Sequence, residues 1–162
     1  MRGSGHFGLS MFIASFVVAL YPGSVYDTEL WLWLSVFVGM SVWPDLDLRF
    51  ELKHRGYTHT LAGALVFGVL GAAIFGLAHP SGALCGFLGG FGGTLSHILG
   101  DLMTYAKFRP LWPLSSREFA FGWFSARDVR VNKVFAELGT YSLFLAVLYR
   151  ALVSSGIGIP GL

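Results

Sequence analysis

Five long apolar runs constrain this chain more than any other feature of its sequence. They lie at about residues 9–21, 30–43, 61–78, 83–103 and 134–153. A run of roughly 20 apolar residues is long enough to cross a bilayer as an α-helix. Within the hydrocarbon a helix satisfies every backbone hydrogen bond internally. The sequence therefore predicts helices that span a membrane.

Composition agrees with one membrane domain. Of 162 residues, 54% are hydrophobic and only 12% are charged, whereas soluble domains carry about 25% charge. We predict a single all-α domain over residues 1–162, an integral membrane bundle of about five transmembrane helices. The predicted helices cover about 6–21, 29–44, 59–78, 83–104 and 134–153, with a long interfacial loop, 105–133, before the last. Because the first two runs are short, the alternative is four spans with the first run lying in the interface.

Five spans place the N-terminus and the segments 44–60 and 105–133 on the same side of the membrane. Ten of the eleven basic residues lie on that side: Arg2, Arg49, Lys53, Arg55, Lys107, Arg109, Arg117, Arg127, Arg130 and Lys133. Only Arg150 falls toward the other end. The positive-inside rule predicts that this side faces the cytoplasm. We expect the lipid bilayer as a partner and no nucleic acid, and the sequence leaves the oligomeric state open.

Seven residues that bind metals or protons well gather on that predicted side: His6, Asp45, Asp47, His54, His59, His97 and Asp101. They come from four separate hydrophobic segments. Imidazole and carboxylate groups are costly next to hydrocarbon and mark functional sites in membrane proteins. Together these residues indicate a functional site, and their ligand types favour one that binds metal, whereas each motif alone has a purely structural explanation.

The fourth run carries the most regular of these motifs. His97 and Asp101 are four residues apart, so they share one face of a helix and can chelate a cation together. Thr104 continues that face and is a candidate to hydrogen-bond a ligand. The alternative is a His–Asp pair that only ties helices together. Glycines of the same run at 86, 89, 90 and 93 predict close helix packing.

Two further motifs flank the second and third runs. Asp45 and Asp47 follow a proline, and an extended backbone there aims both carboxylates the same way. The structural alternative is a polar helix cap. His54 and His59 precede the third run, and Arg55 between them is suited to grip two phosphate oxygens. The alternative for this segment is a basic loop that binds lipid headgroups.

Imidazole and carboxylate ligands without thiolate favour zinc, with manganese or iron as alternatives, over calcium or magnesium. The candidate ligands outnumber the four of one tetrahedral zinc ion. Either the site binds more than one ion, up to three, or some of these residues contact the ligands without binding metal. A two-metal site suits hydrolysis of a phosphoester. The segment 105–133 mixes aromatic and basic residues, as an interfacial anchor or a lid over the site does. Glu137 is a weaker candidate for an additional acid.

The sequence resembles the YdjM-type (LexA-regulated) inner-membrane proteins, described as membrane-bound, metal-dependent hydrolases. The resemblance rests on Gly5-His6, Pro44–Asp47, His54–Leu61, Leu95–Asp101 and Leu111–Pro113, in the family's order. The family pattern has a histidine after the second aspartate, where this chain has Leu48. A more distant resemblance, to zinc-dependent phospholipase C and fungal single-strand nucleases, implies His6, Asp45, His59, His97 and Asp101 as metal ligands and a phosphoesterase activity.

These observations lead to one expected function and two alternatives. We expect a membrane-embedded, metal-dependent hydrolase acting on a phosphoester, of a lipid or another membrane-associated molecule, at the cytoplasmic interface. Asp47 and His54 are then additional ligands or proton-transfer groups, and Arg55 holds phosphate. The first alternative is a metal-binding transporter or sensor, and the second is a structural or partner-binding protein. The sequence leaves the substrate, and monoester against diester preference, open.

Overall fold

A computed structural model describes residues 1–50 and 55–156. Within them the chain forms five α-helices: α1 (Gly3–Leu20), α2 (Thr28–Met40), α3 (Leu61–Ala78), α4 (Pro80–Leu102) and α5 (Val129–Ser154). Two 3-10 segments, Trp43–Phe50 and Tyr57–His59, connect α2 to α3. The described residues contain no β-strand longer than an isolated bridge. The predicted all-α class and number of helices are confirmed.

Four of these helices, α1, α3, α4 and α5, are long and apolar enough to cross a membrane. The short helix is α2, whose 13 residues rise only about 20 Å along the axis, against a hydrocarbon core of about 30 Å. The 3-10 segment that starts at Trp43 follows it after two residues. The predicted alternative, in which the first run lies in the interface, does not fit, because α1 is among the long apolar helices.

The helices alternate in direction, so one end of the bundle collects three parts of the chain. The α1 and α5 helices are parallel: Arg2 N donates to Asn132 Oδ1 at 2.9 Å at one end, and Val25 N donates to Ser154 Oγ at 3.2 Å at the other. Only His79 separates α3 from α4, which are therefore antiparallel. The N-terminus, the α2–α3 connection and the α4–α5 loop meet at the same end.

Glycines bring the backbones of packed helices into direct contact. On α4, Gly86 and Gly90 face α3, where an added Cβ would lie 2.2 Å from Gly71 O and 2.5 Å from Phe67 O. Gly89 and Gly93, in the same helix, face α2 in the same way, next to Val36 and the Phe37 carbonyl. The two pairs with i, i+4 spacing thus serve two different neighbours. This confirms the predicted packing role of these glycines.

The α4–α5 loop is shorter than predicted, because α5 begins at Val129 rather than near residue 134. Asp128 is the N-cap of α5, and its side chain accepts hydrogen bonds from the backbone N–H groups of Arg130 and Val131. The first turn is polar and lacks the apolar run used to predict the helix. The remaining loop, 103–128, exposes Tyr105, Leu114 and Trp123, which suits an interfacial anchor.

The contact between α1 and α5 provides a test of the packing. A Cβ at Gly139 would lie 1.9 Å from Gly8 O, a backbone atom that cannot move alone. Gly139→Ala is expected to lower the free energy of unfolding by about 1–3 kcal/mol, as overpacking does. The matched control is Gly39→Ala, since a Cβ there meets nothing within 4 Å. Equal thermal unfolding temperatures for the two variants in detergent would contradict the packing.

Candidate metal site

The structure brings five predicted ligands together at the end of the bundle where the N-terminus lies. His6 comes from the first turn of α1, Asp45 from the 3-10 segment after α2, and His59 from the turn before α3; His97 and Asp101 come from the last turns of α4. The three imidazoles are fully buried, and Asp101 is 1% exposed. Burying ionisable groups without compensation is costly, so this cluster requires a physical explanation.

Two imidazole nitrogens face each other at its centre. His97 Nδ1 lies 2.7 Å from the carbonyl oxygen of Ser41, which only accepts, so Nδ1 carries the hydrogen and Nε2 keeps its lone pair. The Thr58 hydroxyl donates to Asp47 Oδ2 at 3.2 Å and accepts from His59 Nδ1 at 2.9 Å. The Nε2 atoms of His59 and His97 are only 3.0 Å apart. With both hydrogens on Nδ1, a cation between the two lone pairs stabilises the arrangement.

Two carboxylates surround the same nitrogen pair. Asp45 Oδ1 is 3.4 Å from the Nε2 atom of His59 and 3.4 Å from that of His97. Asp101 Oδ2 is 3.6 Å and 4.0 Å from the same two nitrogens. In a tetrahedral site with zinc bonds of about 2.0–2.1 Å, neighbouring ligand atoms lie about 3.3–3.4 Å apart. His59, His97 and Asp101 thus form a group of ligand atoms close enough together to hold one metal ion, and Asp45 Oδ1 lies 3.4 Å from both imidazole nitrogens of that group.

His6 lies on the face of the His97 ring. The two ring centroids are 3.7 Å apart and the planes differ by 11°, so the rings are stacked. An ion bound by His97 lies in the plane of its ring, farther from the His6 nitrogens than a bond of about 2.1 Å allows. His6, Asp45 and His97 also form a group whose ligand atoms lie within 4.8 Å of one another. The stacking nevertheless separates the His6 nitrogens from an ion bound in the plane of the His97 ring. Metal ligation by His6 stays a prediction, restricted to another ion.

Each oxygen of Asp101 has a different environment. Oδ2 faces the two imidazoles, whereas Oδ1 lies 3.3 Å from His6 Nε2 and contacts the Met1 amino group. Arg55 donates to the same Oδ1 at 3.0 Å and to Thr104 Oγ1 at 3.1 Å. The Thr104 hydroxyl accepts from Arg55 and donates to the backbone carbonyl of Asp101 at 2.8 Å, so it contacts the site without bonding a ligand atom. The cations around Oδ1 leave Oδ2 as the ligand atom.

Asp45 and Asp47 do not lie on an extended strand as predicted. They belong to the 3-10 segment, where residues two apart point in different directions because a turn takes three residues. Both nevertheless reach His59, at opposite nitrogens: Asp45 Oδ1 is 3.4 Å from Nε2 and Asp47 Oδ2 is 3.4 Å from Nδ1. Asp47 thus orients the ring, while Asp45 is placed among the ligands.

The electrostatics hold His59 and Asp45 in the forms that bind metal. Burial lowers the pKa of the His59 imidazole, and the adjacent Asp45 carboxylate offsets this only in part. Burial alone raises the pKa of Asp45, but the adjacent His59 and His97 rings outweigh it and hold the pKa well below its usual range. A neutral imidazole and an ionised carboxylate are the forms that coordinate a metal.

Two other predicted candidates fall differently. His54 lies outside the described residues, so its predicted role stays a prediction. Glu137 on α5 is 54% exposed and pairs with Lys133 at 3.6 Å, one turn away. The sequence interpretation missed two contributors, the Ser41 carbonyl and the Thr58 hydroxyl. Every residue has a backbone carbonyl, so the sequence could not indicate the role of Ser41. Thr58 could have been found, because it directly precedes the predicted ligand His59.

A cavity of about 410 Å³ opens beside the cluster. Its lining includes Asp47 and Thr58, which contact His59, and Arg55, which contacts Asp101. It also includes Lys107, Arg109 and Trp112 from the α4–α5 loop. A ligand in this cavity would lie next to the residues that orient the His59 ring and the Asp101 carboxylate.

The fold and the site together define a polytopic membrane protein with a buried His/Asp cluster able to hold a metal ion. Residues 1–157 match the family model described as YdjM inner membrane protein. The chain belongs to that family, as its motifs predicted. No curated protein and no solved structure matches it. The likeness to zinc-dependent phospholipase C therefore stays a prediction.

The sequence predicts both His6 and His97 as metal ligands, but the stacking of the two rings leads us to expect different metal binding when each is replaced by alanine. His97→Ala removes a ligand from the central pair and is expected to abolish stoichiometric zinc binding by the purified protein. His6→Ala is expected to keep the ion that His59 and His97 share. Elemental analysis of both variants measures this, with His79→Ala, at the far end of α4, as control. Complete loss of metal in a folded His6→Ala protein would contradict the assignment.

Proposed function

We propose that this protein is a metal-dependent hydrolase that acts on phosphoesters of lipids or other membrane-associated molecules. One observation carries the proposal: buried His59, His97 and Asp101, with the partly exposed Asp45 beside them, adjoin a cavity with cationic lining. Zinc fits the donor set best, with manganese or iron as alternatives. A divalent ion in such a site makes bound water acidic at neutral pH and polarises phosphoryl oxygens.

The residues around the ligands have separable roles in this proposal. Asp47 fixes the His59 ring through Nδ1, which keeps Nε2 directed at the ion. Ser41 does the same for His97. His6 Nε2 lies 3.3 Å from Asp101 Oδ1, where a hydrogen on that nitrogen can be donated to the carboxylate and hold it in place. These residues hold the ligand geometry in place before any substrate arrives.

Arg55 connects the cluster to the cavity. Its guanidinium donates to Asp101, to Thr104 and, at 2.6 Å, to the carbonyl oxygen of Ala106. Three of its five N–H donors are thereby used, which leaves donors for an oxygen of a phosphate in the cavity. Its φ of 59° is in the left-handed region, a strained backbone for a residue with a side chain. Arg55 thus both supports Asp101 and faces an incoming anion.

The position of the ligands favours hydrolysis at the interface over transport. All five predicted ligands come from helix ends or from the α2–α3 connection. A transporter places its site near the middle of the bilayer, where this chain has no comparable cluster in its described residues. At headgroup depth a lipid phosphate can reach the site without leaving the membrane.

Turnover by the zinc-loaded protein tests the proposal. A panel of aryl and lipid phosphomonoesters and phosphodiesters is expected to contain at least one substrate. Asp101→Asn should lower the rate about 100-fold or more, because it weakens the metal centre. Glu137→Gln, which removes an exposed acid, should leave the rate unchanged. Metal uptake into vesicles without hydrolysis of any ester would instead favour the transporter.

The side of the membrane on which the cluster lies is a separate part of the proposal. We propose that the end with the cluster faces the cytoplasm, because the sequence predicts ten of its eleven basic residues on that side. In a Cys85→Ala background, Ser116→Cys in the exposed α4–α5 loop should react with an impermeant maleimide only in inside-out vesicles. Tyr26→Cys, at the opposite end and 76% exposed, should react only in right-side-out vesicles. The reverse pattern would contradict the orientation.

A further inference from the structure

The cavity beside the cluster carries more positive charge than its own carboxylates balance. Among the described residues its lining has three cations, Arg55, Lys107 and Arg109, and two acids, Asp47 and Glu118. Two of the cations have ion-pair partners: Arg109 pairs with Glu118 at 3.3 Å, and Arg55 pairs with Asp101 at 3.0 Å. Within the described residues Lys107 makes no ion pair, and its side chain is exposed. Lys107 is therefore the cation of this lining that is available to an anionic ligand.

Another part of the cavity lining is aromatic and consists of Tyr57, Phe108 and Trp112. Tyr57 and Trp112 contact each other edge to face, with ring centroids 4.8 Å apart. They remain 72% and 38% exposed, so their faces are available to an apolar group. The third ring, Phe108, is covered by the Arg55 guanidinium at 5.6 Å. Tyr and Trp at this depth pack against the boundary between headgroups and acyl chains.

We propose that this cavity is a headgroup subsite for anionic lipid phosphates. Lys107 contacts the anionic headgroup, and Tyr57 and Trp112 pack against the apolar part next to it. The inference rests on the proposed function, whose substrate class it narrows from phosphoesters in general to lipids with an anionic headgroup. A headgroup with a terminal ammonium is disfavoured, because the described lining has three cations against two acids and Lys107 is without an ion pair in it.

Binding of phosphonate probes tests this inference apart from turnover, because the carbon–phosphorus bond is not an ester. The zinc-loaded full chain in maltoside micelles is titrated calorimetrically with dodecylphosphonate, methylphosphonate and a dodecyl sulfobetaine. Dodecylphosphonate is expected to bind at least about tenfold more tightly than either other probe. Methylphosphonate has the charge without the chain, and the dodecyl sulfobetaine has the chain with a zwitterionic headgroup and no ester.

The variant that tests the site is Lys107→Glu, with Lys133→Glu as the matched control. Lys133 is 71% exposed and does not line the cavity. Lys107→Glu should weaken dodecylphosphonate binding about tenfold, while Lys133→Glu should leave it unchanged. Lys107→Gln, which removes the charge without reversing it, should give an intermediate loss.

Two results would overturn the subsite: equal affinity of the wild type for dodecylphosphonate and the dodecyl sulfobetaine, or equal affinity of the two glutamate variants for dodecylphosphonate. Equal affinity for methylphosphonate and dodecylphosphonate would also overturn it, since the ligand would then be a free phosphate. These outcomes are distinguishable from failure of the proposed function. If the protein binds dodecylphosphonate through Lys107 but hydrolyses no ester, the subsite is supported and the proposed activity is contradicted. If it hydrolyses an ester but binds dodecylphosphonate independently of Lys107, the activity is supported and the subsite is contradicted.

Discussion

The approach of two imidazole nitrogens to 3.0 Å in a fully buried site is the contact on which the rest of this structure depends. A carbonyl oxygen fixes the His97 ring, and Thr58 together with Asp47 fixes His59. In an apolar surrounding such a pair is stable when a cation lies between the two atoms. The carboxylates of Asp45 and Asp101 supply the negative charge that such a cation requires.

Close helix packing makes that approach geometrically accessible. The predicted ligands come from two helix ends and the α2–α3 connection, and they meet because α4 contacts α2 on one side and α3 on the other. Glycines at both contacts allow backbone atoms to touch. Gly100 has the same role at the site itself, since a Cβ there would lie 2.9 Å from His6 Nδ1. The glycine-rich composition and the buried cluster are therefore two parts of one arrangement.

Much of this arrangement could be predicted from the sequence, because it follows from periodicity and sidedness. Apolar runs predicted the helices, and the i, i+4 spacing of His97 and Asp101 placed both on one face of α4. The start of α5 was missed because a capping aspartate and a polar first turn replaced the apolar run. The 3-10 geometry around Asp45 was missed because residue type there does not distinguish a tight turn from an extended segment. The stacking of His6 and the tautomer of His97 depend on contacts between distant parts of the chain, which spacing does not encode.

The central claim is that His59 and His97, with two aspartates, hold one divalent ion, and that His6 does not share it. X-ray absorption spectroscopy of the zinc-loaded His6→Ala protein tests it most directly, because imidazole rings give a distinct scattering signature around the metal. The account predicts two imidazoles and oxygen ligands at about 2.0–2.1 Å, without sulfur. A spectrum with fewer than two imidazoles around the ion, or no bound zinc in the folded protein, would contradict it.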